Sequence, residues 1–116
     1  MTKRLVLTGC PISTNHIYRT ARHGGLYMTQ EGKDIKEMWA WEAKTQWKLP
    51  PLKDRLSLSI IIYWGDKRSR DIDNGNKLLL DCLSGVVYVD DKQIDELKIV
   101  RAYDKDSPRV ELVICT

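Results

Sequence analysis

Leu56-Ser57-Leu58-Ser59-Ile60-Ile61-Ile62-Tyr63-Trp64 sets Leu56, Leu58, Ile60, Ile62 and Trp64 at every second position and is rich in β-branched residues. A period of two marks a strand with one buried face. Beyond it, Asp73 is a fitting N-cap for a helix through about Leu83, with Leu79, Leu80 and Leu83 inward and Ser84-Gly85 as its stop. Val86 to Val89 reads as a short extended piece, followed by a strand over about Glu96 to Tyr103, a turn at Asp104 to Pro108 and a strand from Arg109 to Ile114. Before it, Thr29 caps a helix to about Lys48 that Pro50-Pro51 ends. Ile35, Met38, Trp39, Glu42, Ala43, Gln46 and Trp47 share one face of that helix, while Trp41 lies off it and is a candidate interface residue. Lys3 to Thr8 is compatible with a strand, and residues 12–28 read as a long loop or hairpin around Gly24-Gly25. The order β-α-β-α-β-β predicts an α/β (α+β) two-layer sandwich, a mixed β-sheet with two helices on one face.

A chain of 116 residues is read as a single domain, 1–116, long enough to bury about two thirds of its unfolded surface. No apolar run approaches the ~18 residues of a membrane span. Cys10, Cys82 and Cys115 form no CxxC pair and are odd in number, which points to a reducing cytoplasm rather than a disulfide framework or zinc site. A net charge of +3 identifies no partner by itself; its distribution says more.

Five carboxylates (Asp71, Asp73, Asp81, Asp90, Asp91) fall within 21 residues, with Lys77 the only basic group among them. Two carboxylates ~4 Å apart repel by about 4 kcal/mol at an effective dielectric near 20, so a convergent set needs a cation or a proton. Oxygen-only ligands favour Mg²⁺ or Mn²⁺, and such sites suit phosphoryl chemistry. In an extended segment Asp71 and Asp73 point the same way, while Lys77 and Asp81 follow Asp73 along one helix stripe. Asp90-Asp91 returns after the helix and can bring a third ligand to the same point. Upstream, Lys67, Arg68 and Arg70 put three basic residues in four positions, suited to a phosphate backbone. A bland reading stands beside this one: Asp73 as a cap, Lys77 and Asp81 as a helical ion pair, Asp90-Asp91 as a turn. Taken jointly, the spacing favours a site.

Arg70-Asp71-Ile72-Asp73-Asn74, Lys77, Asp81-Cys82-Leu83 and Tyr88-Val89-Asp90-Asp91-Lys92-Gln93-Ile94 resemble the signature of the RusA family of Holliday junction resolvases. Pro11-Ile12-Ser13-Thr14-Asn15-His16-Ile17-Tyr18-Arg19 is similar to that family's N-terminal stretch. The resemblance implies a small homodimeric, Mg²⁺-dependent endonuclease, typical of phage or prophage, that nicks four-way DNA junctions. By this likeness Asp71, Asp73 and Asp91 are the essential carboxylates and metal ligands, with Asp90 a further candidate ligand. Lys77 matches the catalytic lysine and Arg70 a basic residue beside the carboxylates. Mn²⁺ is an alternative to Mg²⁺, and Arg19, Arg22, Lys67, Arg68 and Arg70 are the expected DNA contacts. One departure is visible: some members carry phenylalanine where this chain has Leu80.

Two other functions use the same residues. A metal-dependent hydrolase of nucleotides or small phosphate esters needs the carboxylates but no basic surface. A non-catalytic DNA-binding module needs neither metal nor converging aspartates.

Overall fold

The computed structural model describes residues 1–10, 18–69, 72 and 75–116. Its main sheet has the order β1-β6-β4-β5, from β1 (Thr2–Thr8), β4 (Leu56–Trp64), β5 (Ile94–Tyr103) and β6 (Arg109–Cys115). A separate hairpin pairs β2 (Tyr18–Thr20) with β3 (Leu26–Met28). Two α-helices, α1 (Gln30–Gln46) and α2 (Asn76–Leu83), and a short 3-10 turn (Asp91–Gln93) complete the described elements. β4 runs parallel to β5 and antiparallel to β6, so the sheet is mixed as expected. The hairpin adds two short strands to the expected order.

The alternation of β4 is fulfilled: Leu56, Leu58, Ile60, Ile62 and Trp64 are buried and the residues between them are half-buried. Leu5 and Leu7 of β1 and Val110, Leu112 and Ile114 of β6 stand level with them and share their core. Trp39 and Ala43 of α1, with Leu78, Leu79, Cys82 and Leu83 of α2, cover that face. Thr29 caps α1 as expected, its hydroxyl accepting from the Gly32 amide at 3.1 Å. Met38, placed inward by its spacing, is instead 41% exposed. Glu42 and Gln46 of the same face serve the sheet rather than the core. The Gln46 amide donates to the Val6 carbonyl and accepts from the Val6 N–H, and Glu42 accepts from the Thr8 N–H. They satisfy the free edge of β1, a place where an unpaired strand invites aggregation.

On the opposite face, Glu111 is buried and paired with both Arg4 and Arg109. Arg109 lies 3.9 Å from the Tyr63 ring and also binds Asp104 at 2.7 Å. A buried carboxylate is tolerable only with such partners.

Two boundaries differ from expectation. α2 begins at Asn76, with Gly75 as its N-cap in the left-handed region (φ 78) and no side-chain cap. Val86 and Val87 form a turn rather than an extended piece, with their amides bonded back to the Leu83 carbonyl. Gly85, at φ 82, allows that reversal directly behind α2. Only Tyr88 makes bridges, to Leu52 and Ser84.

Candidate active site

β4, α2 and β5 form a parallel crossover unit, so α2 lies between two parallel strands in the chain and returns across the sheet. Burying Leu78, Leu79, Cys82 and Leu83 turns the rest of α2 outward, including exposed Lys77 and half-buried Asp81. These two are four residues apart and therefore neighbours on one helix face. Leu80 is half-buried and packed against the core, and its carbonyl accepts from the Tyr88 hydroxyl at 2.8 Å.

Behind Tyr88 comes the turn that carries Asp90 and Asp91. Asp90 accepts from the Lys92 amide at 2.9 Å, and the Gln93 side-chain oxygen accepts from the Asp90 amide at 2.9 Å. This reciprocal capping box starts the 3-10 turn over Asp91–Gln93. The Gln93 NH₂ donates to the carbonyls of Leu52 (2.8 Å) and Asp54 (2.9 Å), fastening the turn to the segment that enters β4. The backbone of Leu52 also pairs with Val87 and Val89.

The electrostatics tie the turn to α2. The hydrogen bond that Asp91 donates to its neighbour Asp90, then burial and the charges of Asp90 and Asp81, raise the Asp91 carboxyl above the usual carboxylate range. The Lys92 amide, and then the hydrogen bond with Asp91, hold Asp90 below that range. The two carboxyls therefore titrate together, and Asp81 adds its charge to Asp91. Burial pushes the Tyr88 hydroxyl up, and both Asp81 and Asp91 add to that shift. Burial likewise pushes the Cys82 thiol up to about 12, which leaves it inert as a nucleophile.

Asn76, at the first position of α2, is buried. Its NH₂ donates to the Ile72 carbonyl at 3.4 Å, and its side-chain oxygen has no partner among the described residues. The oxygen groups that α2 and the Asp90–Asp91 turn carry are of carboxylate and amide type, a chemistry that suits a hard divalent cation. Among the described residues no three acidic, histidine or cysteine side chains form a metal-holding group. Arg70, Asp71 and Asp73 lie outside the described residues, as do the side chain of Arg19 and the stretch 11–17.

The expected DNA contacts are spread widely. Lys67 lies 5.1 Å from the ring of Tyr103, at the far end of β5 from Asp91. Ten residues of β5 at ~3.3 Å each put about 30 Å between those ends. Arg68 is exposed, with its amide bonded to Asp66, and Arg22 is exposed in the turn of the β2–β3 hairpin.

Gln93 holds the Asp90–Asp91 turn in place, a role that residue type alone does not single out. The spacing Asp90-x-x-Gln93 is a capping-box signal, but its bonds to Leu52 and Asp54 span about forty residues and leave no local mark.

A family model described as Endodeoxyribonuclease RusA matches residues 9–115. No curated protein matches the chain.

Proposed function

Because the chain belongs to the RusA endodeoxyribonuclease family, crossover-junction resolvases that hydrolyse phosphodiester bonds, we propose that it resolves four-way DNA junctions by paired, metal-dependent nicks. The observation that supports this reading is the Asp90–Asp91 pair, two adjacent carboxyls on one capped turn, of which Asp91 lies in the field of Asp81 on the helix that bears Lys77. A carboxyl raised by neighbouring carboxylates is relieved of that repulsion by a bound cation.

In this reading Asp71, Asp73 and Asp91, with Asp90 as a further ligand, hold Mg²⁺ or Mn²⁺. When bound there, the cation stabilises charge on the attacking and leaving oxygens of the phosphodiester. Lys77, on the first turn of α2, holds a non-bridging phosphate oxygen and opposes the charge that develops on it. The amides at the start of α2 favour the same anion. Tyr88 ties the Asp91 turn to α2 through the Leu80 carbonyl, and Gln93 ties it to the segment that enters β4. Arg19, Arg22, Lys67, Arg68 and Arg70 meet phosphates, and the wide spacing of Lys67 from Asp91 suits a branched substrate better than a nucleotide or small ester.

Two symmetric nicks call for two sites related by a two-fold axis, hence a homodimer. Trp41 (66% exposed), Met38, Asp34 and Glu37 border a surface cavity of about 360 Å³ on the outer side of α1. Its carboxylates disfavour DNA there, which makes this face the better candidate for the subunit contact. The three cysteines are free, in keeping with a reducing cytoplasm, and no helix among the described residues is long and apolar enough to cross a membrane.

Asp73→Asn tests the reading. It should abolish Mg²⁺-dependent nicking of a synthetic four-way junction while leaving junction affinity equal or higher. Normal nicking by that variant would make the carboxylates structural.

A further inference from the structure

The β2–β3 hairpin stands apart from the main sheet. Its turn is closed by the Ala21 amide on the Gly25 carbonyl (2.9 Å) and the Gly24 amide on the Ala21 carbonyl (3.0 Å). Gly24 and Gly25 both take the left-handed conformation (φ 93 and 80), which lets the chain reverse within five residues. Directly behind that turn Leu26 is 75% exposed and Tyr27 53% exposed. Adjacent strand residues point to opposite faces, so neither face of the hairpin's tip is covered.

Single exposed apolar side chains are ordinary, but the setting of these two is not. From Tyr18 to Met28 the chain has Arg19, Arg22 and His23 and no carboxylate. A second exposed apolar pair, Met38 and Trp41, is flanked by Asp34 and Glu37. Phosphate-rich surfaces repel the second pair and accept the first. A slim ribbon with a cationic turn and an uncovered apolar pair directly behind it has the shape and chemistry of a side-chain wedge for stacked bases.

We propose that the hairpin tip opens the branch point of the DNA: Arg22 grips a backbone phosphate while Leu26 and Tyr27 enter the base step beside the strand exchange. Leu26 supplies an apolar edge that displaces one base, and the Tyr27 ring offers a stacking surface to its neighbour. The base step at the exchange point yields most readily, so the wedge selects branched over linear duplex. This rests on the junction reading above and adds the residues that confer selectivity.

The test uses the full chain and a four-way junction with 2-aminopurine beside the exchange point, in Ca²⁺ to keep the junction folded. Wild type should raise the fluorescence of the bound junction at least threefold. Leu26→Ser/Tyr27→Ser should bind within threefold of wild-type affinity yet keep less than a third of that rise. Arg22→Ala should weaken binding while preserving the rise per bound junction; it stays informative if the double variant folds poorly. A wild-type rise from the folded, bound double variant overturns the wedge and leaves the resolvase reading intact. Loss of the dimer in that variant, seen by light scattering, also overturns it, by making the hairpin a subunit contact. Failure of wild type to prefer junction over duplex overturns both readings.

Discussion

Gln93 and Asp90 cap each other: the Gln93 oxygen takes the Asp90 amide while Asp90 anchors the start of the same short turn. The remaining donors of Gln93 reach Leu52 and Asp54, so one amide side chain fixes where Asp91 stands relative to β4. Gln93→Ala removes the partner of the Asp90 amide and of the Asp54 carbonyl, and one of two donors to the Leu52 carbonyl, which keeps the Val89 amide. Removing a cap or a partner of part-buried backbone groups costs about 1–2 kcal/mol. Urea denaturation should read that loss, and cation affinity should fall with it because Asp91 is no longer held in place.

The interaction of Asp90 with Asp91 gives a pH dependence with a definite sign. Asp91 has a folded-state pKa raised above its unfolded value by Asp90 and Asp81. Its contribution to stability is therefore present below the ordinary carboxylate pKa and is lost as pH rises through the raised one. Cation binding requires the ionised carboxylate and runs the other way, weakening as pH falls through the raised pKa. Asp90→Asn, by removing the neighbouring charge, should move the acid limb of Mn²⁺ binding to lower pH. An unmoved limb would show that the pair does not control the site.

Asp91→Asn separates chemistry from stability. The ligand-free fold should be as stable as wild type or slightly more so at neutral pH, since mutual repulsion is relieved. Nicking should vanish. Mg²⁺ should raise the Tm of wild type and not of the variant, because only a ligand that binds the native state shifts its melting.

The strands and stops that depend on local chemistry were legible in the sequence. Ile60 and its alternating neighbours, the Thr29 cap and the Ser84-Gly85 stop each carry their signal within a few residues. The start of α2 was not, because Asp73 has the chemistry of an N-cap while the position is taken by Gly75 through its backbone alone. Val86 to Val89 looks extended by composition, yet Gly85 folds its first half back onto Leu83. Met38 follows the helical period but lies outward, because the edge of β1 draws Glu42 and Gln46 instead. At the site, Lys77 and Asp90-Asp91 stood out by type and spacing, whereas the influence of Asp81 on Asp91 joins a helix to a turn and is tertiary.

Gly75→Ala tests that helix start. A Cβ in the left-handed region costs roughly 1–2 kcal/mol, and Gly75 is buried at the N-terminal end of α2. Stability should drop by about that amount in urea. Nicking should fall by more than the smaller folded fraction explains, because Lys77 is only two residues along.

Lys67 and Arg68 test the reach of the DNA surface. Lys67 packs its ammonium on Tyr103, at the opposite end of β5 from Asp91, and in the proposed reading Lys67 and Arg68 hold DNA phosphates and take no part in bond cleavage. Lys67→Ala/Arg68→Ala should therefore weaken binding to junction and duplex alike while leaving the rate of bound substrate near wild type. For every phosphate the variant no longer neutralises, the log–log salt dependence of binding should flatten by ~0.9. A double variant with an unchanged salt slope but a reduced single-turnover rate would put these residues beside the chemistry, against the separation along β5. A flatter slope, by as much as two phosphates account for, with an unchanged single-turnover rate would extend the DNA footprint to the Tyr103 end of the sheet.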